Sequence, residues 1–484
     1  MLFQSSVINS EEINKIHEQS IRILEEVGVQ VPSEKVLAML EEAGAGINWD
    51  TKVALIGRDM VEDAMKKAPK EFTVGARNPV FDMSMGPNGA MVGEMKGPFI
   101  NMDGCGSHVI DFETGERRPG VLQDLRDAGK IFDAIPEAQI LWSTIMPDDV
   151  PANAAGVVSA ATSMLASGKH LMDEVQNVRE WPFFLELFKA FVGDEKEVKN
   201  RKIYGACYCT VAPLSHDGEM LEGTIELAKF HGPILMYPMP CSGSTGPASL
   251  QSNIVMANAE SLSSLVIFQL ASPGTPLIYG AALGRMNVRT GFFSLGAVET
   301  ALQMAGMNQM GRHYGIPTMC TGGTSDANVP GEQALMEKVL TTMPVVQTGC
   351  DIIQGLGLIE GSMTLSLEQM LVDAEMFRQC RRMYAGIDMC DEKDYFEDIR
   401  SVGPGGDFLR CKTTRKAFRT DEFYNPQIVP WQAYDRWVKD GAKTMYMLAH
   451  EQAEQILAAE PISPVDLNTE KLVLEIIEEA RAKL

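Results

Sequence analysis

A cysteine pair and seven histidines are the first residues to weigh for chemistry. Cys207-x-Cys209 sits in an apolar, strand-like run, where alternation points both thiols to one face. That is half of a metal site, and a zinc site needs three or four converging ligands. His17, His108, His170, His216, His231, His313 and His450 are scattered, and none clusters with cysteine or carboxylate. Gly322-Gly323 and Gly403-Pro404-Gly405-Gly406 have the composition to cradle an anion, and equally that of plain tight turns. The chain contains no G-x-G-x-x-G, no Walker loop, no H-E-x-x-H, no C-x-x-C and no serine-hydrolase elbow. The expectation is chemistry that rests on neither a protein nucleophile nor a bound metal, and therefore on positioning.

Positioning needs a rigid frame, and the hydrophobic pattern describes one. Apolar, β-rich runs recur at Phe99 to Met102, Gln139 to Ile145, His170 to Met172, Ile203 to Thr210, Ile234 to Met239, Leu277 to Gly280, Thr318 to Thr321 and Asp351 to Gly355. Each is followed by a polar or Gly/Pro loop and a helical stretch, the texture of successive βα units. Eight units in a row predict an α/β fold with a closed (β/α)8 barrel, a TIM barrel, rather than an open sheet. The expected division is residues 1–98 as a helical and extended segment packed on the barrel, 99–390 as the barrel and 391–484 as a helical extension. In the first segment Ser10, Glu11 and Glu12 suit a helix start, and Ile13, Ile16, Ser20, Ile21, Leu24 and Val27 make one face ending at Gly28. In the last, Tyr434, Trp437, Val438, Met445 and Leu448 read as one packing stripe, and Leu472, Val473, Ile476 and Ile477 as another.

Composition limits the partners. With 42 basic and 65 acidic residues in 484, the formal charge is -23, which argues against nucleic acid or an anionic membrane. The N-terminus MLFQSSVINSEE has neither the basic segment nor the apolar stretch of a secretory signal. The most apolar region, Leu262 to Ala282, is broken by Ser-Pro-Gly-Thr-Pro. A cytoplasmic enzyme is expected, and a large barrel with long helical ends is expected to self-associate.

Several segments, in order along nearly the whole chain, carry a family resemblance. They are SIRILEEVGVQVPSE, AGAGIN, APKEFTVGARNP, VIDFETGERRPGVLQDLRDAGKIFDAIPE, MPCSGSTGPASL, NAESLSSLVIFQLASPGTPLIYG, NVRTG with GAVE, GIPTMCTGGTSDANVPGEQALMEK and GLGLIEGSMTLSLEQMLVDAE. Together they resemble the trimethylamine methyltransferase family. The resemblance implies a (β/α)8 barrel, no tightly bound cofactor, and methyl transfer to the cobalt of a corrinoid (cobalamin) held by a separate, cognate corrinoid-binding protein.

One departure bears on substrate. The family's founding members carry pyrrolysine in the loop after the seventh strand. Here that loop reads Ser325-Asp326-Ala327-Asn328-Val329-Pro330, with Val329 at or next to the position. Valine neither captures nor activates an amine, so the sequence resembles the pyrrolysine-free branch, whose members demethylate quaternary amines such as glycine betaine. Leaving-group chemistry agrees. A quaternary ammonium departs as a neutral tertiary amine, so a Co(I) nucleophile needs only a correctly aimed methyl group in a dry cavity. A tertiary methylamine or other onium donor, or a non-catalytic betaine-binding protein, are the alternatives.

The site residues follow from that reading. Aromatic faces suit a trimethylammonium group, and a barrel site lies at the C-terminal strand ends. Phe99, Trp142, Tyr208, Tyr237, Tyr279, Phe292 and Phe293 are the candidates, with Trp142 and Tyr279 foremost. Arg289, or less strongly Arg285, is expected to meet a betaine carboxylate, with Glu299 either pairing with Arg289 or facing the cation. Gln347 and Gln354 are expected as neutral hydrogen-bonding groups. Asp103, Asp173 and Asp326 fall just after strand ends, and Asp326, Val329 and Gln333 are expected to line the cavity beside the lost pyrrolysine position.

Overall fold

A computed structural model describes residues 2–104 and 106–484. All eight predicted runs contain strands: β1 (Phe99–Asn101), β2 (Ile140–Leu141), β3 (His170–Asp173), β4 (Tyr204–Tyr208), β5 (Ile234–Met236), β6 (Leu277–Ala281), β7 (Thr318–Thr321) and β8 (Ile352–Gln354). They form one parallel sheet in the order β2-β3-β4-β5-β6-β7-β8-β1, and a parallel bridge from Ile100 to Ala138 brings β1 back beside β2. The ring is thereby closed into a (β/α)8 barrel. Its strands are buried on both faces, which is why they read as continuous apolar runs rather than alternating ones.

Helices follow the strands: α1 (Leu122–Asp133), α2 (Ala155–Ala166), α3 (Trp181–Val192), α4 (Gly218–Lys229), α5 (Leu250–Ala271), α6 (Val298–His313), α7 (Glu332–Gln347) and α8 (Leu367–Ala385). Side chains of Asp217, Ser249 and Ser366 accept from the first-turn amides of α4, α5 and α8, fixing where those helices begin. Strand residues pointing outward pack against this ring. Tyr204 lies between Phe184 and Phe188 at 5.3 and 4.8 Å, and Tyr208 meets Phe268 at 5.2 Å. Among the described residues one helix, α5, is long and apolar enough to cross a membrane. However, 89% of its apolar window is buried inside the fold, so it is a core helix.

The additions at the two ends of the chain leave one mouth of the barrel for a site. A four-stranded antiparallel sheet (Phe72–Val74, Met83–Met85, Met91–Val92, Met95–Lys96) lies at the N-terminal strand ends. There the ring of His170, the first residue of β3, hydrogen-bonds the Gly75 carbonyl at 2.7 Å. The first helix, Ser10–Glu26, starts at an Asn9 capping box and packs on α5, where its Ser20 hydroxyl donates to the Val255 carbonyl at 2.8 Å. Its face is as expected, except that Val27 is exposed. Near the C-terminus, Met445–Ala458 packs on α8 and α1, and Leu467–Lys483 on α2 and α3. The expected stripe from Tyr434 to Leu448 is split. Tyr434–Lys439 is a separate short helix, because Gly441 and Ala442 turn the chain at positive φ, and Tyr434 is exposed.

Candidate functional site

Alternation along parallel strands sorts side chains into those facing the barrel axis and those facing the helices. Outward Tyr204 and Tyr208 leave Cys207 and Cys209 inward, and register carries that parity around the ring to Trp142, Met172, Tyr237, Thr321 and Gln354. At the C-terminal mouth, the rings of Trp142 (after β2) and Tyr237 (after β5) stand 6.5 Å apart at an interplanar angle of 48°. The Tyr237 hydroxyl is held by the Thr321 hydroxyl at the end of β7.

Three neighbouring strands, β8, β1 and β2, end in buried polar groups without partners. Both amide atoms of Gln354, the Trp142 Nε1–H and the Asp103 Oδ1 lack a hydrogen bond among the described residues. These residues are 0%, 3% and 5% exposed. Buried polar atoms are ordinarily satisfied, because each orphan costs about 1–3 kcal/mol. Four of them at one mouth mark a place where a polar ligand or water completes the set.

The charge at this mouth is acidic. Burial pushes the Asp103 carboxyl up to about 6, against a smaller lowering from the Lys338 ammonium. Asp103 is close enough for its charge to help keep the buried Tyr237 phenol protonated. Two residues beyond inward Met172, Glu174 is also raised by burial, and its Oε1 lies 3.7 Å from Cys209 Sγ. Cys209 Sγ is 3.8 Å from Cys207 Sγ. Among the described residues no group of three or more His, Cys, Asp or Glu side chains is placed to hold a metal. The arrangement is a cup with two aromatic faces, one buried carboxylate (Asp103), one half-buried carboxylate (Glu174) and neutral hydrogen-bonding groups, which suits an organic cation.

The structure brings together Trp142, Tyr237 and Gln354, with Asp103, and disperses the other expected residues. Phe99 faces inward but stands at the N-terminal end of β1, with the Arg381 guanidinium 5.9 Å from its ring. Tyr279 points outward, donating to Asn258 Oδ1 at 2.6 Å and packing 5.9 Å from Tyr314. Tyr208 likewise faces out, bonded to His216. Gln347 ends α7, at the opposite end of the barrel. Asp173 lies on the outward side of β3, where burial drives it up to about 7 and the Ser143 hydroxyl partly offsets this. Phe292, 40% exposed, packs beside Gly361 on the rim, and Phe293 pairs with Met286 in a small accessory sheet.

The loop after β7 also departs from expectation. Asp326 does not open to the cavity: it accepts from the Ser294 hydroxyl and, at 2.9 Å, from the Leu295 amide, stitching two loops together. Val329 is 65% exposed on the rim, and Gln333 donates to Glu337 at 2.9 Å on the outside of α7. The expected pair of Arg289 and Glu299 is replaced by Arg285 and Glu299 at 3.6 Å. Arg289 itself is exposed at a turn tip, its amide bonded to Asn287. Glu174, Cys209 and Thr321 were missed as parts of the cup, Cys209 having been weighed only as half of a metal pair. Strand parity carried two residues past Met172 and Cys207 is the signal that reaches the first two.

The whole chain, residues 2–484, matches the family model described as trimethylamine methyltransferase (MTTB). The chain belongs to the trimethylamine methyltransferase family. It is 30% identical over 471 residues to trimethylamine methyltransferase MttB of Desulfitobacterium hafniense (strain DSM 10664 / DCB-2), covering 97% of this chain and 93% of that protein. It is 29% identical over 460 residues to glycine betaine methyltransferase of Desulfitobacterium hafniense (strain Y51), covering 95% and 93%. To trimethylamine methyltransferase MttB of Methanosarcina barkeri it is 28% identical, covering 98% and 95%. Among solved structures, the hydroxylamine MtmB complex superposes with a TM-score of 0.51 at 11% identity, over 93% of this chain and 89% of that one, a likeness of fold.

For a trimethylamine methyltransferase family member the exposed position of Arg289 has a direct consequence. Arg289→Ala is expected to leave kcat/KM for any methyl donor within about twofold, as for a surface change away from the site. Steady-state kinetics across the donor panel described below checks this, and a tenfold rise in KM confined to carboxylate-bearing donors would place Arg289 in the site after all.

Proposed function

We propose that this chain transfers a methyl group from a quaternary amine, glycine betaine or a related betaine, to the Co(I) of a cognate corrinoid protein. The observation that carries the reading is the mouth itself. Trp142 and Tyr237 offer faces to an N-methyl cluster, Asp103 and Glu174 offer opposite charge, and among the described residues no lysine side chain stands in the cup to capture an amine covalently. A betaine carboxylate would be held by neutral donors, the Gln354 amide and the Trp142 Nε1–H, both lacking partners.

Cobalt supplies the nucleophile when the corrinoid protein is docked. What the chain's own residues do is hold and exclude. The carboxylates and rings fix the ammonium, and one methyl group is left facing the open mouth. The amine departs neutral, so no proton has to move at nitrogen. Burial keeps water from the reacting carbon and strengthens the electrostatics of the cup. Around the mouth, the loops after β2, β5, β6, β7 and β8 each expose an apolar side chain, Met146, Met239, Phe292, Val329 and Met363, a rim suited to a protein-borne ring system.

The test is incubation of the purified protein with Ti(III)-reduced cobalamin or its corrinoid protein and a panel of glycine betaine, proline betaine, carnitine, choline and trimethylamine. Loss of Co(I) absorbance with one or more quaternary donors is expected. Transfer from trimethylamine alone would overturn the quaternary reading, and calorimetric binding without transfer would make the chain a betaine-binding protein.

A further inference from the structure

Lys338, on α7, has its side chain wholly buried. Its ammonium donates to the Gly323 carbonyl at 2.8 Å, the Gly355 carbonyl at 2.8 Å and Asp373 Oδ2 at 2.7 Å. Those two carbonyls belong to the exits of β7 and β8, two residues beyond Thr321 and one beyond Gln354. Asp373, on α8, also accepts from the Gly357 amide at 2.7 Å and from Gln369 Nε2 at 2.7 Å. Gln369 is in turn held by the Tyr446 hydroxyl at 2.9 Å. One lysine therefore closes a buried network through two strand exits, two barrel helices and the C-terminal helix Met445–Ala458.

The strand exits it joins are in unusually close approach. Gly355 has φ +129°, and a Cβ there would fall 2.4 Å from the Gly322 oxygen and 2.5 Å from the Gly323 oxygen. Carbonyls crowded side by side repel one another, and a cation donating to two of them removes that repulsion. A buried ion pair is weak grounds for stability by itself, since apolar residues often replace one without loss. Its strict siting beside Gln354 and Thr321 calls for another role.

We infer that Lys338 is a positioning residue for the cation site: by clamping the β7 and β8 exits it fixes the Gln354 amide and the Thr321 hydroxyl that carries Tyr237, and it sets the charge seen by Asp103. The inference rests on the reading of the mouth as a quaternary ammonium site. The Lys338 ammonium is the first of the influences that oppose the rise of Asp103, so its removal drives that carboxyl higher still.

The experiment compares wild type, Lys338→Met and the double variant Lys338→Met/Asp373→Leu, each as full chain. The affinity for tetramethylammonium is read by calorimetry from pH 5 to 8, with thermal stability alongside. In Lys338→Met the affinity at pH 8 is expected to fall about tenfold, because Gln354 and the Thr321 that carries Tyr237 are no longer held in place. The acid limb is expected to move up by roughly half to one pH unit, as loss of a buried positive charge near Asp103 requires. In the double variant, stability is expected to recover while the weakened affinity and displaced limb persist, an outcome that a purely structural ion pair would not give. Recovery of both the wild-type affinity and the wild-type limb in the double variant would overturn the inference. If the wild type binds no tetramethylammonium, the cation-site reading fails and this one with it. If it binds but no methyl is transferred, only the catalytic reading fails.

Discussion

Asp103→Asn is expected to make the protein more stable at neutral pH while stripping it of most of its affinity for a quaternary amine. The carboxyl is 5% exposed and burial raises it to about 6, from an ordinary value of 3.8. Between those two values the folded chain holds a proton that the unfolded chain has released. Stability therefore falls as pH rises from about 4 to 6, and above 6 the full cost of the buried charge is present, roughly 3 kcal/mol at most. Asparagine keeps the shape and carries no charge, so urea unfolding of the variant should show higher stability at pH 7 and a shallower decline from pH 4 to 6. The decline does not vanish, because Asp173, Glu180 and Glu260 are each raised to about 7 by burial and lose stability over an overlapping, slightly higher window.

Activity should move the other way. A permanent cation in the cup favours the ionised Asp103, so donor affinity in the wild type should rise with pH through about 6 and level off above it. In Asp103→Asn that dependence should largely flatten and kcat/KM at pH 7 should drop by roughly a hundredfold, the scale of an opposite charge removed from a desolvated contact. Wild-type kcat/KM with a gain in stability would show that the Asp103 charge serves neither the cup nor the fold. A loss of both would show that its neighbours need the charge more than the ligand does.

Such opposed effects are what a site built ahead of its ligand produces, and they explain which parts of the molecule were legible in the sequence. The barrel was readable because all eight parallel strands are buried on both faces, so each leaves a dense apolar run whatever its function. The convergence of Trp142, Tyr237 and Gln354 at one mouth was readable because each falls at a strand's C-terminal end. Proximity to a strand end says nothing of which face a side chain takes, however, and there Tyr279 and Tyr208 misled. Phe99 misled in the other dimension: it shares the inward face but stands at the opposite end of its strand. Loops were harder still. Nothing local in Ser325 to Pro330 tells that Asp326 turns to Ser294 and Leu295, or that Arg285 rather than Arg289 meets Glu299. Those pairings are set by long-range loop stitching, with the Glu360 amide on the Ala327 carbonyl and the Gly361 amide on the Ser325 carbonyl. Lys338 was invisible for a related reason: within an amphipathic helix a lysine reads as surface, and its burial depends on carbonyls supplied by two other elements.

Trp142 and Tyr279 offered the same sequence credentials, and the fold gives them opposite fates. Trp142→Leu keeps an apolar side chain in the cup but removes the aromatic face and the unpartnered Nε1–H. A desolvated cation–π contact contributes up to about 2 kcal/mol, and an orphaned donor that meets the ligand adds about 1 kcal/mol. Together they amount to a loss of roughly a hundredfold in kcat/KM. Trp142→Phe retains a face and loses only the donor, so it should fall in between, at roughly fivefold to tenfold. Tyr279→Phe should leave transfer within about twofold, because its hydroxyl serves Asn258 on α5 and reaches nothing in the mouth. It should instead lower stability by about 1 kcal/mol, the value of one buried hydrogen bond. Methyl transfer to Co(I) and urea unfolding, measured on the same three variants, separate the two roles. If Tyr279→Phe lost activity while Trp142→Leu kept it, the mouth described here would not be where the methyl donor sits. If all three lost stability and none lost activity, the rings at both positions would be packing and the cation would have to be held by the carboxylates alone.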